Sequence, residues 1–324
     1  MKAVVCRRPG SPGELEVEEL DRPAVPDDGL LVRVHASSAN TVDLFTVSPV
    51  GHLMRRRRPA VVGTDFAGTV EATGKNVTSF APGDEVFGAA RGTFAEYVSV
   101  AADRVVRKPA AVSFEDAATL AVAGSTALQA LRDHGHVQSG QRVLINGASG
   151  GVGTFAVQIA CSLGAEVTAV CSTRNVEMVR AIGAGTVVDY TKDDFTRSGE
   201  HYDLMLDIAG NRRWSECARV LGKGARYVGV GAAGVQHGKG GSRRVLAHFL
   251  DVRLASIGSG RRVVALWIAK LRNEDLEFLG RLVESGRVKP VIETSHELAG
   301  VPDALRRIDE GHNRGKLAIV VRSR

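Results

Sequence analysis

Val143-Leu144-Ile145-Asn146-Gly147-Ala148-Ser149-Gly150-Gly151-Val152-Gly153 is the stretch whose reading decides the fold. A short apolar run leads into a glycine-rich turn, and residues 152–163 continue at helical spacing, so the segment predicts strand, tight turn and helix. The glycines fall at 147, 150 and 153, a G-x-x-G-x-x-G pattern; a strict G-x-G-x-x-G would need glycine at 148, where Ala148 stands. Glycine permits the sharp turn and lets backbone N–H groups approach a pyrophosphate, and the helix N-terminus favours its charge. Tight helix–sheet packing without a ligand would use the same glycines. The strand–turn–helix context favours the phosphate reading, with Ser149, Gly150, Gly151 and Val152 as its contacts.

Outward from this stretch, strands (142–146, 166–171, 187–189, 204–208, 225–230 and 263–268) alternate with helices (152–163, 175–182 and 213–220). That alternation predicts parallel βαβ units in a doubly wound α/β sheet, a Rossmann domain over 121–271. Residues 1–120 read differently. Short alternating segments such as Leu30–Ala36 and Phe94–Val100 are separated by turn signals such as Pro82-Gly83-Asp84, which predicts a β-rich, barrel-like domain. From Glu115 to Asp133 the spacing is helical, with Ser113 as N-cap and Asp116 three residues on. The tail is read as a helix capped by Asn273 and running to about Ser285, a strand 288–292, a helix 302–309 and a strand 317–321; 272–324 is assigned to the first domain.

Composition sets the outer limits. The chain has 324 residues, enough for about two domains of roughly 150 residues. Its 37 glycines and 10 prolines lack a Gly-X-Y period, so collagen and low-complexity classes are excluded. Cys6, Cys161, Cys171 and Cys217 form neither a disulfide framework nor a C-x-x-C pair, which points to a reducing, cytoplasmic setting. No apolar run is long enough to span a bilayer, and the N-terminal residues read as a strand, not a signal peptide.

About 20 residues past the glycine loop, an NAD enzyme places a carboxylate for the ribose 2′-OH. Here the stretch is Cys171-Ser172-Thr173-Arg174-Asn175, without Asp or Glu. Hydroxyls and a guanidinium suit a 2′-phosphate instead, so Ser172, Thr173 and Arg174 predict NADP(H) over NAD(H). Ser172 as a helix cap beside a solvated Arg174 is the plainer alternative.

Gly63-Thr64-Asp65-Phe66-Ala67-Gly68, the Gly147–Gly153 loop, Ser172-Thr173-Arg174 and Gly311-His312-Asn313-Arg314-Gly315-Lys316 resemble the medium-chain dehydrogenase/reductase superfamily, in its zinc-independent quinone oxidoreductase branch. The resemblance spans essentially the whole chain and implies a GroES-like barrel beside the Rossmann domain. The superfamily's zinc enzymes carry a cysteine after the second strand and a Gly-His-Glu stretch. This chain has Ser37-Ser38-Ala39-Asn40 and Thr64-Asp65 there, and no zinc ligand set. The resemblance therefore implies hydride transfer from NADPH to a quinone or an activated alkene, substrates that delocalise the added charge without a Lewis acid.

By position-matching to the family's Asn-Pro-x-Asp segment, Asn40 and Asp43 would face the nicotinamide, although Thr41 replaces the proline. Asp65 is a third catalytic candidate, with a structural turn carboxylate as its alternative. The resemblance also implies cofactor contacts at Asn40, Thr126, Tyr190, Val230, Gly231, Asn313 and Lys316. Tyr190 is otherwise a packing residue, and Lys316 a solvated hairpin residue. A homodimer through the 263–268 edge is implied too.

His35 and His52 lack a partner cysteine and read as surface or packing residues. The Arg55–Arg58 run lacks the aromatics that single-stranded nucleic acid needs, and reads as a solvated loop first, an anion gate second and an RNA contact third. A nucleotide-sensing or anion-binding protein with little turnover is the main alternative to the reductase. A zinc alcohol dehydrogenase or aldehyde reductase is the second.

Overall fold

Residues 1–49, 51, 60–230, 250–265, 269–311 and 313–321 are described in the structure, a computed structural model. They form two units, one of Met1–Ser125, Lys270–Gly286 and Ile292–Arg324, the other of Thr126–Ala269 and Arg287–Val291.

In the first unit, numbered in chain order, β1 (Lys2–Cys6), β2 (Glu16–Glu19) and β4 (Ala60–Val61) form a small sheet with β1 central. The larger sheet is built on β3 (Gly29–Ala39), whose alternating Leu30, Val32 and Val34 are buried. Strands β5 (Asp65–Thr73), β7 (Tyr97–Ala101) and β16 (Lys316–Val320) all pair antiparallel with it. β6 (Glu85–Ala89) and β8 (Val105–Arg107) continue beyond β5, and β15 (Ile292–Glu297) lies outside β16. Phe66, Phe94, Leu317 and Ile319 pack in this unit's core. Register does the positioning. Ser38 lies opposite Asp65 and Ala39 opposite Leu317, so the end of β3 meets the starts of β5 and β16.

In the second unit the alternation becomes six parallel strands, β9 (Arg142–Asn146), β10 (Glu166–Cys171), β11 (Thr186–Asp189), β12 (Tyr202–Asp207), β13 (Leu221–Gly229) and β14 (Arg262–Ala265). Their spatial order is β11-β10-β9-β12-β13-β14, the doubly wound order in which the chain reverses direction beside β9 and β12. Leu144, Val170, Met205, Trp214 and Tyr227 share one core cluster, with Trp214 and Tyr227 edge-to-face at 5.7 Å between centroids.

Four expectations are corrected. The helical spacing over Glu115–Asp133 is not one α-helix. It breaks into α2 (Phe114–Ala117), a π-turn (Leu120–Gly124), α3 (Ser125–Gln129) and a second π-turn (Ala130–His134); α1 (Thr41–Val47) precedes these. The first π-turn coincides with a diverted donor, because the Val122 N–H goes to the Asp65 carboxylate at 2.9 Å. Ser113 does cap α2, accepting the Asp116 N–H at 3.0 Å.

The strand expected at 288–292 forms instead at Ile292–Glu297. Both Lys289 backbone groups are taken by the Gln158 side chain, at 2.7 and 3.0 Å, and Pro290 has no N–H to give. The helix expected at 213–220 is a single α-turn, Trp214–Cys217, followed by a 3₁₀ turn over Ala218–Val220. The tail helix forms over Asn273–Glu284, but Asn273 is its first residue and Arg272, with extended backbone, stands at the N-cap; the helix Val301–Asp309 forms where the sequence places it. The expected edge over 263–268 is described only through Ala265.

Candidate active site

The glycine loop is built as its composition requires. Gly147 turns the chain out of β9 at φ +90°, a conformation that L side chains rarely adopt. The helix after the loop, Gly151–Ser162, makes its first helical bond from Thr154 N–H to Gly150 O. The amides of Gly151, Val152 and Gly153 precede that bond and stand where an anion is received. A Cβ at Gly150 would come no nearer than 3.8 Å to the protein, so this glycine leaves room at the loop surface, not in the core.

Beneath the loop, Asn146 donates to Asp207 at 2.8 Å and to Asn211 at 3.1 Å. Asp207 also accepts from Gly210 N–H at 2.9 Å and from the Tyr227 hydroxyl at 2.6 Å. Burial, followed by the Asp207 charge, raises the Tyr227 hydroxyl pKa. Three strand ends are thereby tied together under the turn.

Beyond β10 the predicted hydroxyls divide. Ser172 Oγ accepts from Asn175 Nδ2 at 3.2 Å, and Ser149 Oγ accepts from the same nitrogen at 3.1 Å. Thr173 Oγ1 donates to Asp189 at 2.6 Å and lies 2.9 Å from Thr191 Oγ1, which itself donates to Asp189 at 2.8 Å. The hydrogen that the sequence reading assigned to a phosphate is therefore directed at a carboxylate, and Thr173 offers a ligand lone pairs. These bonds, the Thr173 one foremost, hold the Asp189 pKa down to about 2. Arg174 is exposed, and Lys192 Nζ lies 3.6 Å from Asp189.

Tyr190 is half exposed. Its amide bonds Cys171 O at 3.0 Å. Val230 N–H bonds Asp207 O at 2.9 Å at the end of β13, Thr126 is buried, and Gly231 lies outside the described residues. Sequence reasoning missed Asn175, whose side chain joins the glycine loop to the Ser172 segment. Its Oδ1 is buried with no partner among the described residues. The open amides of the loop, and the Ser149 and Ser172 hydroxyls that accept from Asn175 and keep their own hydrogens, fit the anionic groups of a bound dinucleotide.

The catalytic candidates meet in the first unit. Asp65 and Asp43 are fully buried, Asn40 is 6% exposed and Lys316 is 2% exposed. Lys316 is thus not the solvated hairpin residue that one reading allowed. Its ammonium donates to Asn40 Oδ1 and, at 3.2 Å, to Ala39 O, and lies 3.6 Å from Asp65 Oδ2. Asp65 also accepts from Ser38 Oγ at 2.8 Å and from Asn40 Nδ2 at 2.9 Å. With Ser38 O accepting from Asn40 Nδ2 at 3.1 Å, the Asn40 amide hydrogens are spent inside the cluster. Asn40 is therefore held by its neighbours, not left open as a donor to a ligand. Asn313 donates to Gly315 O at 2.7 Å and shapes the turn into β16.

Asp43 accepts from Asn40 N–H at 2.8 Å and from the half-buried Thr64 hydroxyl at 2.6 Å. Burial raises its pKa to about 7, with the Asp65 charge adding and Thr64, Asn40 and Lys316 opposing. Burial also raises Asp65 and lowers Lys316, each against the other's charge. An aspartate in the unfolded chain titrates near about 4. The folded protein thus holds a proton on Asp43 that the unfolded chain lacks between about pH 4 and about pH 7, and stability falls as pH rises through that window. Asp43→Asn should flatten this slope. Denaturant midpoints at about pH 5 and about pH 8 check it, and an unchanged difference between them would contradict it.

Among the described residues no three His, Cys, Asp or Glu side chains converge as a metal cradle. The cation of the Asp43–Asp65 cluster is the Lys316 ammonium, so these residues do not fit zinc. His35 stacks on Phe114 at 4.4 Å and lies 2.9 Å from Thr69 Oγ1, which makes it a packing histidine. His52 and Arg55–Arg58 lie outside the described residues, and no helix among those described is long and apolar enough to cross a membrane.

Two family models match the chain, one described as an alcohol dehydrogenase GroES-like domain over residues 26–110, the other as zinc-binding dehydrogenase over 182–319. The bovine (Bos taurus) mitochondrial NAD(P)H oxidoreductase RTN4IP1 is 32% identical, over 90% of this chain and 81% of that protein. The trans-enoyl reductase pgmF of Aspergillus terreus is 34% identical, over 91% and 86%. The quinone oxidoreductase structure from Coxiella burnetii superposes with a TM-score of 0.89 at 29% identity, covering 99% of both chains. With a GroES-like unit, a doubly wound parallel sheet and relatives spanning nearly all of both, the chain belongs to the medium-chain dehydrogenase/reductase superfamily, in its zinc-independent quinone oxidoreductase-like branch.

Proposed function

We propose that this protein is an NADPH-dependent, zinc-independent reductase that passes hydride to a quinone or to the β-carbon of an α,β-unsaturated carbonyl. The observation that carries the reading is the segment after β10, where Ser172 and Arg174 stand in place of the carboxylate that would hold a ribose 2′-OH. Relatives named as a quinone oxidoreductase and a trans-enoyl reductase support the substrate class. A donor set without thiolate or imidazole ligands supports it too, since both substrate types delocalise the incoming charge.

In this reading the amides of Gly151, Val152 and Gly153 with Ser149 hold the pyrophosphate, and Ser172, Arg174 and Tyr190 hold the adenosine 2′-phosphate. Thr126, Val230, Gly231 and Asn313 are assigned to the rest of the dinucleotide. When bound, NADPH supplies a hydride with its electron pair. The proton that balances the reduction is assigned to protonated Asp43, relayed by Thr64, whose hydroxyl turns its own hydrogen from Asp43 to the substrate as it accepts the Asp43 proton. Asp43 has no surface of its own, so Thr64 is its route outward, and a group titrating near about 7 can both give and regain a proton at neutral pH. Asn40, Asp65 and Lys316 hold Asp43 and Thr64 in place. A cytoplasmic homodimer joined along β14 completes the proposal. The spent Asn40 amide favours one second reading, a nucleotide-binding protein with little turnover.

Fluorescence titration with NADPH and NADH, repeated on Arg174→Ala, tests the cofactor. The variant should bind NADPH about tenfold more weakly and NADH unchanged, the worth of one charge-assisted contact. Steady-state NADPH oxidation with a quinone and an enone then separates reductase from binding protein. Tight binding without turnover on a broad panel of both classes would decide for the binding protein.

A further inference from the structure

Asn175 opens the helix after β10, a place where Asn is ordinarily a cap, yet its side chain makes no capping bond. It is 3% exposed and turned toward two serines. One, Ser149, belongs to the glycine loop; the other, Ser172, belongs to the segment assigned to the 2′-phosphate. A side-chain amide nitrogen has two hydrogens, and here each goes to one serine oxygen. A hydroxyl that has accepted from an amide keeps its own single hydrogen to donate elsewhere. Both serines are thereby set as donors, whereas Thr173, between Ser172 and Arg174, is turned the other way because its hydrogen goes to Asp189.

The second half of the observation is the orphaned Oδ1. A buried carbonyl oxygen without a donor destabilises a folded protein, because its lost hydration is not replaced. Reversing the amide would satisfy it, by letting either serine hydroxyl donate to it. The arrangement present leaves the oxygen unsatisfied and both serine hydrogens available. That is a cost to the empty protein and a gain to one holding an anion.

We propose that Asn175 is a positioning residue for dinucleotide recognition: it presets Ser149 as a donor to the pyrophosphate and Ser172 as a donor to the 2′-phosphate, coupling the two phosphate sites through one side chain. The inference rests on the NADPH reading above and assigns the discrimination between NADPH and NADH to a residue that need not touch the 2′-phosphate.

The test is a binding test. Wild type, Asn175→Ala, Asn175→Asp and Ser172→Ala, with the Asn175→Ala/Ser172→Ala pair, are titrated with NADPH, NADH, adenosine 2′,5′-bisphosphate and 5′-AMP, and each melting temperature is recorded. Asn175→Ala should lower the preference for the 2′-phosphorylated ligands about three- to tenfold, the range of one hydrogen bond. Asn175→Asp keeps the size but accepts where Asn donates. It should draw both serine hydrogens inward and lower the preference further. In the Ser172→Ala background, removing Asn175 should change the preference no further.

Parallel weakening of all four ligands with an unchanged preference would overturn the proposal and make Asn175 a structural residue. Additive effects in the pair would overturn it as well. Should Asn175→Ala fail to fold, the size-conserving Asn175→Asp decides on the same preference. Wild-type protein that binds neither coenzyme would overturn the NADPH reading itself, whereas wild-type preference retained in the variants overturns only the role of Asn175.

Discussion

Lys316→Met should destabilise the first unit by about 3–5 kcal/mol, the cost of removing one partner from a buried ion pair. The ammonium is 2% exposed and sits within bonding distance of Asn40 Oδ1 and Ala39 O, facing Asp65. Methionine nearly matches the volume and removes the ammonium that faces Asp65, leaving two fully buried carboxylates without it. For a unit of this size the loss corresponds to a fall in melting temperature on the order of 10 °C, read by calorimetry as the transition of that unit. Asp65→Asn alone should be costly in the same way, since it strands the ammonium. The double variant should cost less than the sum of the singles, because two uncharged groups no longer oppose burial. The sign of the pH dependence is also fixed. Burial holds the Asp65 pKa above its ordinary value, so acidification protonates it more readily and the Lys316→Met penalty should shrink as pH falls. A penalty independent of pH, or additive singles, would mean that Lys316 acts by packing alone.

This cluster shows where legibility ends. Asn40, Asp43 and Asp65 could be picked out by resemblance, but the role of Lys316 depends on residues more than 270 positions away meeting it at one sheet edge. Only the register of β3 against β16 and β5 reveals that. The glycine loop was legible because its constraint is local, a turn and a helix start within seven residues. The direction of the Thr173 hydroxyl was not legible for the opposite reason. Its acceptor, Asp189, lies on the neighbouring strand, where Cys171 pairs with Asp189. Asn175 was read as the first residue of a helix, which it nearly is, and nothing local signals that its amide reaches Ser149. The π-turn at Leu120–Gly124 has no sequence signature either, for its diverted N–H answers a distant carboxylate.

Gly153 and Gly150 stand three residues apart in one motif, and their alanine variants should fail in different ways. A Cβ at Gly153 would meet Gly147 O at 2.2 Å and Ala148 C and Cα at 2.6 and 2.7 Å. All three are backbone atoms of the turn, so the turn itself would have to move. Gly153→Ala should therefore cost about 1–3 kcal/mol of stability and, by shifting the amides that receive the pyrophosphate, weaken NADPH binding by about a hundredfold. A Cβ at Gly150 meets only Gly147 O, at 3.8 Å, an ordinary contact. Gly150→Ala should keep the wild-type melting temperature and still bind NADPH more weakly, because the added methyl occupies space at the loop surface that the ligand needs. Calorimetry and NADPH titration on the two variants give a two-by-two outcome. Wild-type stability in Gly153→Ala would show that the turn has slack the packing denies. Unchanged binding in Gly150→Ala would show that the phosphate lies elsewhere, and the loop would then owe its third glycine to helix–sheet packing alone.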